Sequence, residues 1–176
     1  MPHSELSGRA SSRRGQGGEM PLSTLVYVLN EYFLSAYRKA DSVDGVEASL
    51  VRLGRAVGRP LWVYASTTLK CKSSVAARPE SLLQYIKDSI WPLIFSRPAT
   101  DASLVVERKG EFILRDELPV LERYISYSKG DALLSMFTAG VLEGIFACCG
   151  YQTKVVSYHE DTNGVECTSF HITVQL

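Results

Sequence analysis

The chain has 176 residues, 45% apolar and 22% charged, with nineteen basic side chains set against nineteen acidic ones. That size and composition predict one globular domain with a full hydrophobic core. Zero net charge argues against a duplex nucleic-acid binder, whose affinity rests on a basic excess over the phosphates. No window approaches the ~18 apolar residues of a membrane span.

Residues 1–20 are rich in Ser, Gly and Arg with scarcely an apolar side chain, so they read as a flexible arm ahead of one domain over 21–176. The arm has no apolar signal segment, Pro2 excludes myristoylation and the closing Val-Gln-Leu is no prenylation box. Cys71, Cys148, Cys149 and Cys167 have no framework spacing, which predicts reduced thiols in a cytoplasmic chain.

Pro21 opens the first helix, where its missing N–H costs nothing. Leu22, Leu25, Val26, Leu29, Phe33 and Ala36 recur at helical spacing as a core stripe. Val28 and Tyr32 make the other side unusually apolar as well. Leu25, Val28, Leu29, Tyr32 and Phe33 are therefore the candidate partner interface. A second helix carries Val46, Leu50, Leu53, Val57, Leu61 and Tyr64, with Gly54 and Gly58 on one face and Pro60 expected to kink or interrupt it. "STTLKCKSSVAARPE" reads as a mildly basic loop. A third helix follows over 79–95, with Leu82, Leu83, Ile86, Ile90, Leu93 and Ile94 on one side and Pro92 bending its end.

The period then shortens. "ASLVVERKGEFILRDEL" predicts two strands about a Lys109-Gly110 turn, and "PVLERYI" a connector. A fourth helix over about 131–149, ended by Gly150, is apolar nearly all round and so expected to be buried all round. A last hairpin turns at Asn163-Gly164. Two hairpins and these helices predict an α+β fold: a four-stranded antiparallel sheet packed with about four to five helices.

No catalytic centre emerges. Adjacent Cys148 and Cys149 point about 100° apart on a helix and do not chelate one ion; they read as buried, inert thiols. Glu143 has no ionisable companion in its helix after Asp131 and reads as a hydrogen-bonded carboxylate at a packing boundary. Gly140 and Gly144 form a groove for close approach of another backbone. His3, His159 and His171 lack metal spacing, and neither a phosphate loop nor a nucleophile elbow occurs. No cofactor or metal is expected. Cys71, between Lys70 and Lys72, is the one acylation candidate, because adjacent positive charge lowers a thiol's pKa.

"ISYSKGDALLSMFTAGVLEGIFACCGYQTKVVSY" resembles the last helix and returning strand of the small TRAPP (trafficking protein particle) subunits of the Bet-three type, its subunit 5 branch above all. Phe137-Thr138-Ala139-Gly140, Glu143-Gly144, Gly150-Tyr151 and Lys154-Val155 carry the match, with support from Leu53-Gly54, Val57-Gly58 and "IWPLIF". The resemblance implies pairing through the first helices with a Bet-three-type subunit. The assembly it implies is a tethering complex, peripheral at cis-Golgi and endoplasmic reticulum, that acts as guanine nucleotide exchange factor for a Rab GTPase. This chain would be a scaffold in it, meeting GTPase and membrane only through the complex. The alternative is a vinyl-reductase-type sensor of small ligands, a domain with a similar fold. Its hairpin usually holds a cysteine pair, where this chain has Cys167 alone.

Overall fold

The computed structural model describes residues 21–104, 110–117, 121, 134–162 and 165–175. The expected arm, the connector apart from Leu121, and the tip of the last hairpin lie outside them. Among the described residues, six helices and four strands follow in chain order: α1 Leu22–Lys39, α2 Val43–Thr68, α3 Ser73–Ala76, α4 Pro79–Tyr85, a π-helical turn Ile86–Ile90, α5 Trp91–Phe95, β1 Asp101–Leu104, β2 Glu111–Asp116, α6 Ser135–Cys148, β3 Gln152–Thr162 and β4 Val165–Gln175. The strands form one antiparallel sheet in the order β1-β2-β4-β3, with β2 and β4 central. The expected α+β architecture is the observed one.

Alternation in the strands sets the core. Phe112 and Leu114 of β2, Val155 of β3, and Phe170, Ile172 and Val174 of β4 are all buried. α6 packs on β3 and lies against α2 along its other side. From Ser135 to Phe146 every α6 residue except Met136 is buried, as an apolar helix between two layers must be. Its end is a Schellman motif: Tyr151 N–H donates to Phe146 O and Gly150 N–H to Ala147 O, both at 3.1 Å, with Gly150 at φ +87°.

Three expectations need correction. α2 is not interrupted at Pro60 but runs on to Thr68. Pro60 and Ala56, whose carbonyl loses its partner to the missing N–H, are both exposed, so water can take up that carbonyl. The 70s loop contains a short helix, α3, docked when Tyr151 Oη donates to Ala76 O at 3.1 Å. In the third helical stretch, Leu93 is exposed and Trp91 is buried in its place. The π turn explains this. It adds a residue to one turn and sets the following side chains back by about 100°, bringing the Trp91 ring to 5.8 Å from Phe170.

Candidate docking face on the first two helices

The two helical layers meet backbone to backbone. A Cβ on Gly54 would collide with Phe137 O and lie 2.8 Å from Val141 N; one on Gly58 would collide with Val141 O. Conversely, a Cβ on Gly140 would stand 2.8 Å from the Val51 Cα and one on Gly144 2.7 Å from Arg55 O. The rising order of partners, Val51 with Gly140 and Arg55 with Gly144, makes α2 and α6 parallel. The Gly140 and Gly144 groove expected from sequence is therefore filled by α2, and the Gly54 and Gly58 face is its complement.

Glu143 fastens the same contact. Its carboxylate is buried, accepts a hydrogen bond from Val155 N–H at 2.9 Å through Oε1, and pairs with the Arg55 guanidinium through Oε2. One side chain thus ties α6 to α2 and to β3. Because β3 is an edge strand, the N–H it takes points away from the sheet, and Glu143 closes that part of the edge. The expected packing-boundary carboxylate is what stands here.

With α6 covering one face of α2, α1 lies along another. Tyr32 Oη donates to Ser49 O at 3.3 Å. The five candidate interface residues divide. Leu29 and Phe33 are only 2% and 5% exposed and belong to the core, because the inward stripe of α1 passes through both. Leu25 and Tyr32 are half-buried at the seam. Val28 is 55% exposed, beside Tyr27. Helical phase places Val28 one turn before Tyr32 on the same side of α1. Along the seam, Tyr32, Ser35 and Lys39 face Ser49 and Arg52 across an open groove of about 450 Å³.

α2 presents an exposed outer surface of its own. Arg52, Ala56, Arg59, Pro60 and Val63 recur at helical spacing and are all exposed, Val63 at 59%. Arg55, at the border, is held by Glu143. Among the described residues neither Arg52 nor Arg59 has a carboxylate partner. Sequence reading by apolar periodicity missed these residues. A signal existed: no Asp or Glu occurs between Glu47 and Glu80.

The cysteines fall out differently from expectation. Cys167 is buried, Cys149 half-buried and Cys148 exposed, although the Cys148 thiol still comes within 4.0 Å of the Arg59 carbonyl oxygen of α2. Burial first, then the neighbouring Cys148 and Cys71 thiols, push the Cys149 pKa up to about 12. Cys71 is half-buried rather than loop-exposed, while Lys70 and Lys72 beside it are exposed. Lys70 has φ +50°, a left-handed step that reverses the chain after α2. The Cys71 thiol thereby comes beside Tyr85, whose pKa rises to about 12 through burial and then through that thiol. Among the described residues, no three His, Cys, Asp or Glu side chains converge to hold a metal, and no helix is long and apolar enough to cross a membrane.

Three comparisons bear on this arrangement. The chain is 25% identical over 150 residues to trafficking protein particle complex subunit 5 of Mus musculus, covering 82% of this chain and 78% of the relative. The Dictyostelium discoideum subunit 5 is 22% identical over 149 residues, covering 84% and 80%. Among solved structures, a trafficking protein particle complex subunit 3 from Naegleria fowleri, covalently bound to palmitic acid, superposes with a TM-score of 0.77. It covers 87% of this chain and 94% of its own at 10% identity, a likeness of fold. The family model described as transport protein particle (TRAPP) component matches residues 25–175, nearly all of the elements above, and the chain belongs to that family.

Proposed function

We propose that this chain is a non-catalytic scaffold subunit of a TRAPP trafficking complex, pairing through α1 and α2 with a Bet-three-type subunit. Family membership supports a role in a trafficking complex with other TRAPP subunits. The observation that carries the pairing is the exposure of Val28 on α1 and of Ala56, Pro60 and Val63 on α2, although the same helices bury a full apolar stripe inward. A monomer gains nothing from that exposure, whereas an interface core needs it. Within the assembly, the subunit supports a Rab exchange factor in traffic from endoplasmic reticulum to Golgi, peripheral to both membranes, and contributes geometry rather than reacting groups. Acylation of Cys71 is part of this reading, on the strength of its half-buried thiol between two lysines.

Co-expression with a Bet-three-type subunit of the same organism, followed by size exclusion with light scattering, tests the pairing. A one-to-one heterodimer lost in Val28→Asp/Val63→Asp supports it; a monomer in the wild-type mixture overturns it. Labelling with an alkyne-bearing palmitate analogue tests the thioester. Label removed by hydroxylamine and by Cys71→Ser supports acylation, and label unchanged by Cys71→Ser refutes it.

A further inference from the structure

Beyond the contact of Gly58 with α6, four elements close on one corner of the molecule. The chain leaves α2 with Cys71 N–H donating to Ser66 O at 2.9 Å, and the left-handed step at Lys70 brings the Cys71 thiol beside Tyr85. Tyr85, the last residue of α4, meets Trp62 of α2 edge-on with ring centroids 6.1 Å apart, and its hydroxyl is buried. At the end of α6, Cys149 packs on the same core as Trp62, Tyr85 and Tyr151. Tyr151 in turn reaches α3 through its hydrogen bond to Ala76 O. Two half-buried thiols far apart in the chain, Cys71 and Cys149, therefore share this corner. They are near enough that charge on Cys71 opposes ionisation of Cys149.

We infer that Cys71 and Cys149 are a redox pair, which a small disulfide of the glutathione type oxidises to an intrachain bond that staples the segment between α2 and α4 to the end of α6. The segment is lightly held. α3 buries none of its side chains, and among the described residues its hydrogen bond to the α6 end is the one from Tyr151. Cys148 stands outside the pair, because its side chain points about 100° round the helix from Cys149 and lies 4.0 Å from Arg59 O.

The order of attack follows from burial. Cys149 is held neutral, with a pKa of about 12, and a neutral thiol is a poor nucleophile. Cys71 therefore attacks first, as thiolate, joining one sulfur of the oxidant in a mixed disulfide and releasing one glutathione thiolate. That step removes the negative charge on Cys71 that opposed ionisation of Cys149. Cys149 then loses its proton to solvent and attacks the Cys71 sulfur, forming the intrachain bond and releasing the second glutathione. The protein gives up two electrons and two protons, and the oxidant leaves as two thiols. One sulfur does not hold a disulfide and a thioester together, so on the acylation reading above the two modifications of Cys71 exclude one another.

The full chain is first treated with neutral hydroxylamine and dithiothreitol, so that Cys71 is free whether or not it has carried an acyl group. Oxidised glutathione is then added to the folded protein. The expected product is lighter by two hydrogen atoms, yields a peptide pair joining Cys71 to Cys149, and reverts with dithiothreitol. Cys149→Ser should stop at one glutathione on Cys71. In Cys71→Ser, Cys149 should take up glutathione at least about tenfold more slowly than Cys71 does in Cys149→Ser. Trypsin should cut at the exposed Lys70, Lys72 and Arg78 at least about tenfold more slowly in the oxidised protein, and Cys148→Ser should match wild type throughout. No disulfide, one to Cys148, one between chains, or one that forms only in urea overturns the pairing; these readings use wild-type protein and do not depend on how a variant folds. A Cys71–Cys149 bond with unchanged trypsin rates overturns the staple.

Discussion

Gly140→Ala puts the α2–α6 contact under direct load. The added Cβ would stand 2.8 Å from both the Cα and the carbonyl carbon of Val51 and overlap the Val51 carbonyl oxygen. Ordinary carbon contacts begin near 3.4 Å, so the helices must part by at least several tenths of an ångström. The atoms in the way are backbone, fixed within a 26-residue helix, and no rotamer change relieves them. Overpacking of this kind costs about 1–3 kcal/mol, or more when backbone must move. The opposing gain, alanine over glycine in helix propensity, is about 1 kcal/mol. The contact with a whole carbonyl group places the cost at the upper end, so a net loss of about 1–3 kcal/mol is expected. In a domain this size that lowers Tm by roughly 3–10 °C. Urea unfolding followed by circular dichroism should show a lower midpoint with an unchanged slope. Gly144→Ala, whose nearest contact is 2.7 Å and reaches fewer carbonyl atoms, should lose less. A Gly140→Ala protein as stable as wild type would refute close backbone packing as the reason for glycine here.

Glu143→Ala should cost about 1–3 kcal/mol, since the Val155 N–H loses its acceptor in a buried place, while Glu143→Gln keeps an acceptor and loses less; equal urea midpoints for the two variants would contradict this. Gly150→Ala meets open space but φ +87°, so it should lose about 1–2 kcal/mol from left-handed strain alone, read as a shift in midpoint; no shift would mean that the α6 terminus relaxes freely. For Cys149, the raised pKa means that the folded state holds the neutral thiol while the unfolded chain ionises near its ordinary value of 9. Stability from that group is therefore complete below pH 9 and falls as pH rises toward about 12. Chemical unfolding across pH 7–11 should show the decline beginning near 9, lessened in Cys149→Ala, and iodoacetamide at pH 8 should label exposed Cys148 well before Cys149; labelling in the reverse order would contradict the burial of Cys149.

What can be foreseen in this chain follows the length scale of each force. Alternation in the strands and the all-apolar run around Gly140 are local patterns, and each requires one burial geometry, so the sheet and the central position of α6 are legible. The trade of Leu93 for Trp91 is not, because it depends on a π turn whose extra residue changes phase only after Ile86. Periodicity assigns Leu29 and Phe33 to a partner because it reports which residues are apolar but not which of two neighbouring apolar faces is already occupied. It misses the face that remains open for the same reason. Arg52 and Arg59 interrupt the apolar pattern, and their pairing state depends on a carboxylate almost ninety residues away: Glu143 reaches Arg55 and neither of the other two. That distribution links stability to the charge of the surface. The buried Glu143 carboxylate is committed to holding α2, α6 and β3 together, which leaves Arg52 and Arg59 on the outer surface of α2 without a carboxylate partner among the described residues. A Glu143 variant therefore has two separable consequences, a weaker fold and an Arg55 released to the exposed surface of α2.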